Sequence, residues 1–140
     1  MKRIFNTSII YFFAAMVGGV FYREFTKMMG FTGNTALSVV HTHLLALGTI
    51  LFLIIAIFAN IKPALLESKK FNTFYILYNI ALPLMVVMFV VRGILQVLAV
   101  DTTGMIDGMV SGFAGISHIL IAVALYMLLA LTKKHFAEGK

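Results

Sequence analysis

Residues Ala36 to Ile61 read ALSVVHTHLLALGTILFLIIAIFANI, without one Asp, Glu, Lys or Arg. At a rise of about 1.5 Å per residue, such a run crosses a hydrocarbon core about 30 Å thick. Three more long apolar runs accompany it: Ile4 to Phe25, Phe71 to Val100 and Gly108 to Thr132. Gly30, Gly33 and Asn34 mark the first turn between runs, Pro63 follows the end of the second run, and Asp101 to Asp107 join the third to the fourth. The sequence therefore predicts one all-α domain over residues 1–140, an integral membrane bundle of four transmembrane helices near 4–25, 36–61, 71–100 and 108–132. The third run would measure about 45 Å if fully helical, so it should tilt or bend. Pro83 cannot donate a backbone hydrogen bond and predicts a kink there.

Of 140 residues, 61% are hydrophobic and 11% charged, and the mean hydropathy is +1.03. A soluble fold could not hide that much apolar surface. The formal charge of +6 speaks of topology and not of nucleic acid, because the basic residues sit between the apolar runs. With alternating spans, Lys2, Arg3, Lys62, Lys69, Lys70, Lys133, Lys134 and Lys140 fall on one side, and only Arg23 and Lys27 on the other. By the positive-inside rule the first side is the cytoplasm. This gives an up-down-up-down chain in the plasma (inner) membrane with both termini cytoplasmic. Met1, Lys2 and Arg3 resemble the start of a signal peptide, but the run after them is long and carries Tyr11 and Tyr22. With only Gly18 and Gly19 as a poor cleavage site, it reads as a retained helix. The absence of cysteine excludes disulfides, thiolate metal ligands and covalent c-type haem attachment. No Ser-His-Asp set, nucleotide loop or paired carboxylates can be assembled from 5 acidic residues lying mostly in loops, so a stand-alone enzyme is not expected.

Ionisable groups in hydrocarbon are costly and mark function by default. The spans hold few polar residues of this kind: His41 and His43 in the second, Arg92 and Gln96 in the third, His118 in the fourth. Alternation gathers them in the outer half, with Arg92 about two turns from an outer end and His118 about 15 Å deep. The inner half offers only Tyr11, Tyr78, Asn79 and Tyr126. His41 shares a face with Ser38, Leu45 and Gly48, while His43 points about 200° away. His118 shares a face with Ser111, Ala114, Gly115 and Ala122, and the first span has a similar stripe in Ala15, Gly18 and Gly19. Such stripes let helices touch or leave space for a flat cofactor.

Histidines on two facing helices can ligate a haem iron axially, with a cation near the interface for the propionates. The expectation is a haem b with His41 and His118 as iron ligands, Gly48 and Gly115 making room, and Arg92 meeting the propionates. His43 is the alternative ligand, or a site for copper, a proton or a propionate. The structural alternative is a hydrogen-bonded polar layer, in which Arg92 pairs with Glu24 or Asp101. Met16, Met85 and Met88 are soft enough for copper but read as filler at helical spacing. His135, beside Lys133 and Lys134, reads as solvated in an exposed tail.

The segment Ser38-Val-Val-His41-Thr42-His43-Leu-Leu-Ala-Leu-Gly48, with Tyr22-Arg23-Glu24 before it and Gly115-Ile-Ser-His118 after it, resembles the bacterial domain-of-unknown-function family numbered 2871. That resemblance covers nearly the whole chain and implies small four-helix membrane proteins. His41-Thr42 followed by apolar residues and Gly48 is also similar to the haem-ligand helix of haem-copper oxidase and nitric oxide reductase catalytic subunits. It implies a haem-ligand role for His41, with His118 as second axial ligand. The chain lacks the twelve helices and three-histidine copper cluster of that superfamily, so it is not expected to reduce oxygen or nitric oxide alone. The leading expectation is a small b-type haem protein for electron transfer or haem or gas sensing. The rivals are a non-enzymatic accessory subunit with a buried His/Arg layer and, ranked lower, a metal or proton transporter. Expected partners are membrane lipid and a respiratory or redox membrane protein, and the small-residue faces permit a homodimer.

Overall fold

The computed structural model describes residues 1–101 and 104–137; Lys140, which enters the charge bias, lies outside them. Every element among the described residues is helical, and four helices are long and apolar enough to cross a membrane. They are α1 (Lys2–Met28), α2 (Ala36–Ile61), α4 (Lys69–Val97) and α5 (Met105–Phe136), with a single turn, α3 (Ala64–Glu67), between α2 and α4. Their outward faces are apolar too: Val17, Ile57, Ile80 and Ile119 are all exposed. A helix satisfies its own backbone groups, which is what lipid demands of a spanning segment.

The helix ends have local causes. Gly30 sits at φ 61, its N–H reaches Lys27 O at 3.2 Å, and the Phe31 N–H reaches Thr26 O at 2.9 Å. This pair of bonds caps the last carbonyls of α1 around a residue with no Cβ to clash. Ala99, at φ 50, closes α4 in the same way, its N–H on Gln96 O at 3.2 Å and the Val100 N–H on Leu95 O at 3.1 Å. The span thus ends at Val97, short of the predicted Val100. α4 stays helical through Pro83. α5 runs longer than predicted at both ends, and Phe136 packs on Phe58 of α2 at 5.4 Å between ring centroids. His135 is therefore half-buried in the last helical turn and not in a solvated tail.

α2 is not a uniform helix. A 3-10 turn (Ala36–Val39) leads into one α-turn (Val40–His43), then a π-helical segment (Leu44–Ile50), and only then a regular α-helix (Leu51–Ile61). A π turn carries one residue more than an α turn and leaves carbonyls poorly served by the helix itself. Neighbouring hydroxyls serve them here: Tyr78 of α4 donates to Leu47 O at 2.9 Å, and Ser8 of α1 donates to Thr49 O at 3.0 Å. Gly48 lies between these carbonyls because nothing larger fits: a Cβ there would meet the Cβ and Cγ of Tyr11 at 2.5 Å.

α2 packs against α1 and α4, and α5 packs along α4. The core is aromatic, with Phe52, Phe71, Phe74 and Tyr78 fully buried. Between α1 and α4 runs a polar seam. The hydroxyls of Thr7 and Tyr75 lie 2.6 Å apart, Tyr11 donates to Asn79 Oδ1 at 2.9 Å, and Asn79 Nδ2 donates to Tyr75 O at 2.8 Å. At its end the Arg3 guanidinium lies over the Tyr75 ring and donates to Asn72 at 3.3 Å. The half of the bundle that carries the N-terminus is thus more polar than the sequence reading allowed. Threonine, serine and tyrosine hydroxyls, easily passed over in an apolar run, cross-link its helices.

Candidate functional site

The start of α2 is fixed first. Thr35 accepts the Leu37 N–H at 3.3 Å as an N-cap and donates to Gly93 O of α4 at 3.0 Å, while Gln96 accepts the Ala36 N–H at 2.7 Å. Gly93 permits this closeness, since a Cβ on it would lie 2.6 Å from the Leu37 backbone nitrogen. Gln96 is thereby accounted for as a cross-helix cap.

One turn further, the two histidines of α2 diverge, as their 200° separation requires. His41 turns to α1, with its Cβ and Cγ 3.6 and 3.7 Å from where a Cβ on Gly19 would be. Its Nδ1 is buried with no hydrogen-bond partner. His43 turns to α4: its Nδ1 lies 2.8 Å from Val39 O and its ring meets Phe89 edge-on at 4.9 Å. His118 of α5 meets the same Phe89 ring edge-on at 5.8 Å, with its Nδ1 2.7 Å from Ala114 O. A carbonyl can only accept, so Nδ1 carries the proton in both rings and the neutral imidazoles offer Nε2 as a lone pair. Phe89 is partly buried and His118 is exposed.

Arg92 stands three residues beyond Phe89 on α4, hence on the same face. It donates to Ser111 Oγ at 2.6 Å and lies 3.6 Å from Asp107 Oδ1, both on α5. Glu24, one of the partners that the sequence suggested, instead lies 3.7 Å from Arg23. The small residues divide into two sets. Gly18, Gly19 and Gly48 admit α2 to α1, whereas a Cβ added at Gly108, Gly112 or Gly115 on α5 would meet no atom within 4 Å. Gly48 therefore borders the Tyr11 ring, and Gly115 borders open space. Met85 is buried in the core and Met16 is exposed. Among the described residues no group of three or more His, Cys, Asp or Glu converges.

The family model described as "Protein of unknown function (DUF2871)" matches residues 1–135. The chain belongs to the DUF2871 family. No curated protein and no solved structure matches it, haem-copper oxidase subunits included.

In this DUF2871 chain the sequence-selected residues fall into two groups. His43 of α2 and His118 of α5 both meet the Phe89 ring of α4, and Arg92 lies one turn along α4 from it. His41 and Gly48 share a face, but that face belongs to the α1 interface. Sequence reasoning passed over Phe89, Asp107 and Thr35. Phe89 is one more aromatic in an apolar run and gives no signal, whereas Ser111 and His118, seven residues apart, already shared a helical face. What the arrangement can do chemically is present two imidazole lone pairs, each oriented by a backbone carbonyl, beside an aromatic ring and one turn from a guanidinium.

Proposed function

We propose that this protein is a b-type haem-binding membrane protein in which His43 and His118 would hold the haem iron. The observation that carries the reading is the matched pair of imidazoles, each tied through Nδ1 to the carbonyl one turn before it and both flanking Phe89. Metal-ligating histidines commonly have their second nitrogen held by such an outer acceptor, which fixes tautomer and ring orientation. Two imidazole nitrogen donors would suit a haem iron. Gly112 and Gly115 leave open space on α5, and Arg92 is the cation for a propionate, exchanging its contacts to Ser111 and Asp107. His41, turned to α1, is outside the ligand set in this reading. A haem held by both histidines would supply one-electron transfer, and gas binding would need one of the two to leave the iron. The basic residues at the helix ends near both termini support a plasma-membrane protein of up-down-up-down topology with those ends cytoplasmic and the site in the outer half.

The detergent-purified protein from haem-supplied cells should show a Soret band and split reduced visible bands. His43→Ala and His118→Ala should each remove the bis-histidine spectrum, and His41→Ala should keep it. Loss with His41→Ala and retention with His43→Ala would overturn the ligand assignment, and a colourless wild-type protein would end the haem reading. A second reading is favoured by Thr35, Gln96 and Arg92, all of which bridge helices. It is an accessory subunit whose polar layer fixes helix register, and it expects the histidine variants to lower stability without altering any chromophore.

A further inference from the structure

Where α4 begins and α5 ends, Lys70, Tyr126, Met127, Ala130, Leu131 and Lys134 line a cleft of about 250 Å³. Tyr126, Ala130 and Lys134 follow at spacings of four, so they stack along one edge of α5, and that edge runs about 12 Å from the tyrosine to the lysine. Ala130 keeps the edge low. Lys70, in the first turn of α4, stands at the cleft beside Lys134, and neither ammonium is in an ion pair among the described residues. Glu67, the acid nearest in sequence, lines a different cleft with Met1, Asn60 and Pro63.

Two unpaired cations at the ends of two membrane helices ask for an anion. A mostly apolar trough leading from them into the bundle's flank asks for a hydrocarbon chain. Basic pockets between transmembrane helices recognise lipid headgroups by this combination. We propose that the α4–α5 cleft binds an anionic phospholipid, its phosphate between Lys70 and Lys134 and one acyl chain along Ala130 and Met127 toward Tyr126. The site lies at the ends of the helices away from His118 and stands or falls independently of any haem.

The test is native mass spectrometry of the delipidated full chain titrated with phosphatidylglycerol, phosphatidylethanolamine or inorganic phosphate. Phosphatidylglycerol should bind in preference to phosphatidylethanolamine. The double variant Lys70→Gln/Lys134→Gln, checked for wild-type helicity by circular dichroism, should bind it about thirtyfold more weakly, and Lys70→Arg/Lys134→Arg should keep it. Ala130→Leu, which fills the trough, should also weaken it. Equal binding of the two lipids, wild-type affinity in the double Gln variant, or wild-type affinity in Ala130→Leu would overturn the proposal. Displacement of the lipid by millimolar inorganic phosphate would likewise overturn it in favour of a free-phosphate site.

Discussion

Replacing Gly48 by alanine separates two roles that a glycine beside His41 could have. If the glycine left space for a flat group, a methyl would cost little in its absence. The packing says otherwise. The added Cβ would stand 2.5 Å from both Cβ and Cγ of Tyr11 and 3.0 Å from its Cδ1, where carbon atoms ordinarily sit about 3.5–4.0 Å apart. About 1 Å of overlap must be relieved, and Tyr11 has little freedom to retreat. Its ring stacks on Phe52 at 5.9 Å and its hydroxyl is tied to Asn79 at 2.9 Å. Overpacking of this order costs about 1–3 kcal/mol, offset by up to about 1 kcal/mol from the better helix propensity of alanine. With Tyr11 held at both ring and hydroxyl the cost falls toward the upper end of that range, so a net loss of about 1–2 kcal/mol is expected. Gly115→Ala is the matched control, since a Cβ there meets nothing within 4 Å and only the propensity gain applies. Unfolding in mixed detergent micelles, followed by far-ultraviolet circular dichroism, measures both. Equal stability of Gly48→Ala and wild type would refute the argument.

Ala99→Gly should stabilise the fold by about 1 kcal/mol, because a Cβ-bearing residue at φ 50 is held in the left-handed region at about that cost; the same unfolding assay reads it, and destabilisation would contradict the cap assignment. The chain contains no cysteine, so single cysteines report topology cleanly. Asn34→Cys should react with an impermeant maleimide from outside intact cells and Glu67→Cys only after permeabilisation, whereas the reverse pattern would invert the proposed orientation.

The four spans were legible because apolar runs of this length with so few charges have one physical use. Their ends were less so. Gly30 announces a left-handed cap and α1 stops there, but Ala99 performs the same task without any residue-level signal, which is why α4 ends three residues early. The divergence of His41 and His43 follows from helix geometry, yet which of them meets His118 depends on helix neighbours. α5 packs along α4 and not against α1, and no periodicity encodes that. Of the seam, Tyr11 and Asn79 were legible as polar residues of the inner half, but Thr7 and Tyr75 were not, because each is unremarkable alone and becomes polar cross-linking only when α1 and α4 lie side by side. Arg92 was legible as a costly cation within a span, but Asp107 was not legible as its partner, because that pairing depends on the start of α5 reaching back to α4.

The wide turn at Leu44–Ile50 has a consequence for the histidines before it. One extra residue in a regular α-helix rotates everything upstream by about 100° against everything downstream, and a wide turn takes up the extra residue without that rotation. The two ends of α2 are therefore clocked separately, the later one by Phe52 and Ile55 in the aromatic core and the earlier one by Thr35 and Gln96 against α4. Let the same residues wind as a straight α-helix, and Leu44 would arrive where His43 now meets Phe89. An aliphatic side chain would then stand beside Phe89 in place of an imidazole. Deleting the one extra residue would instead keep His43 in place, so the wide turn acts as a selector of the side-chain chemistry beside Phe89 while hydropathy and helix count stay almost untouched.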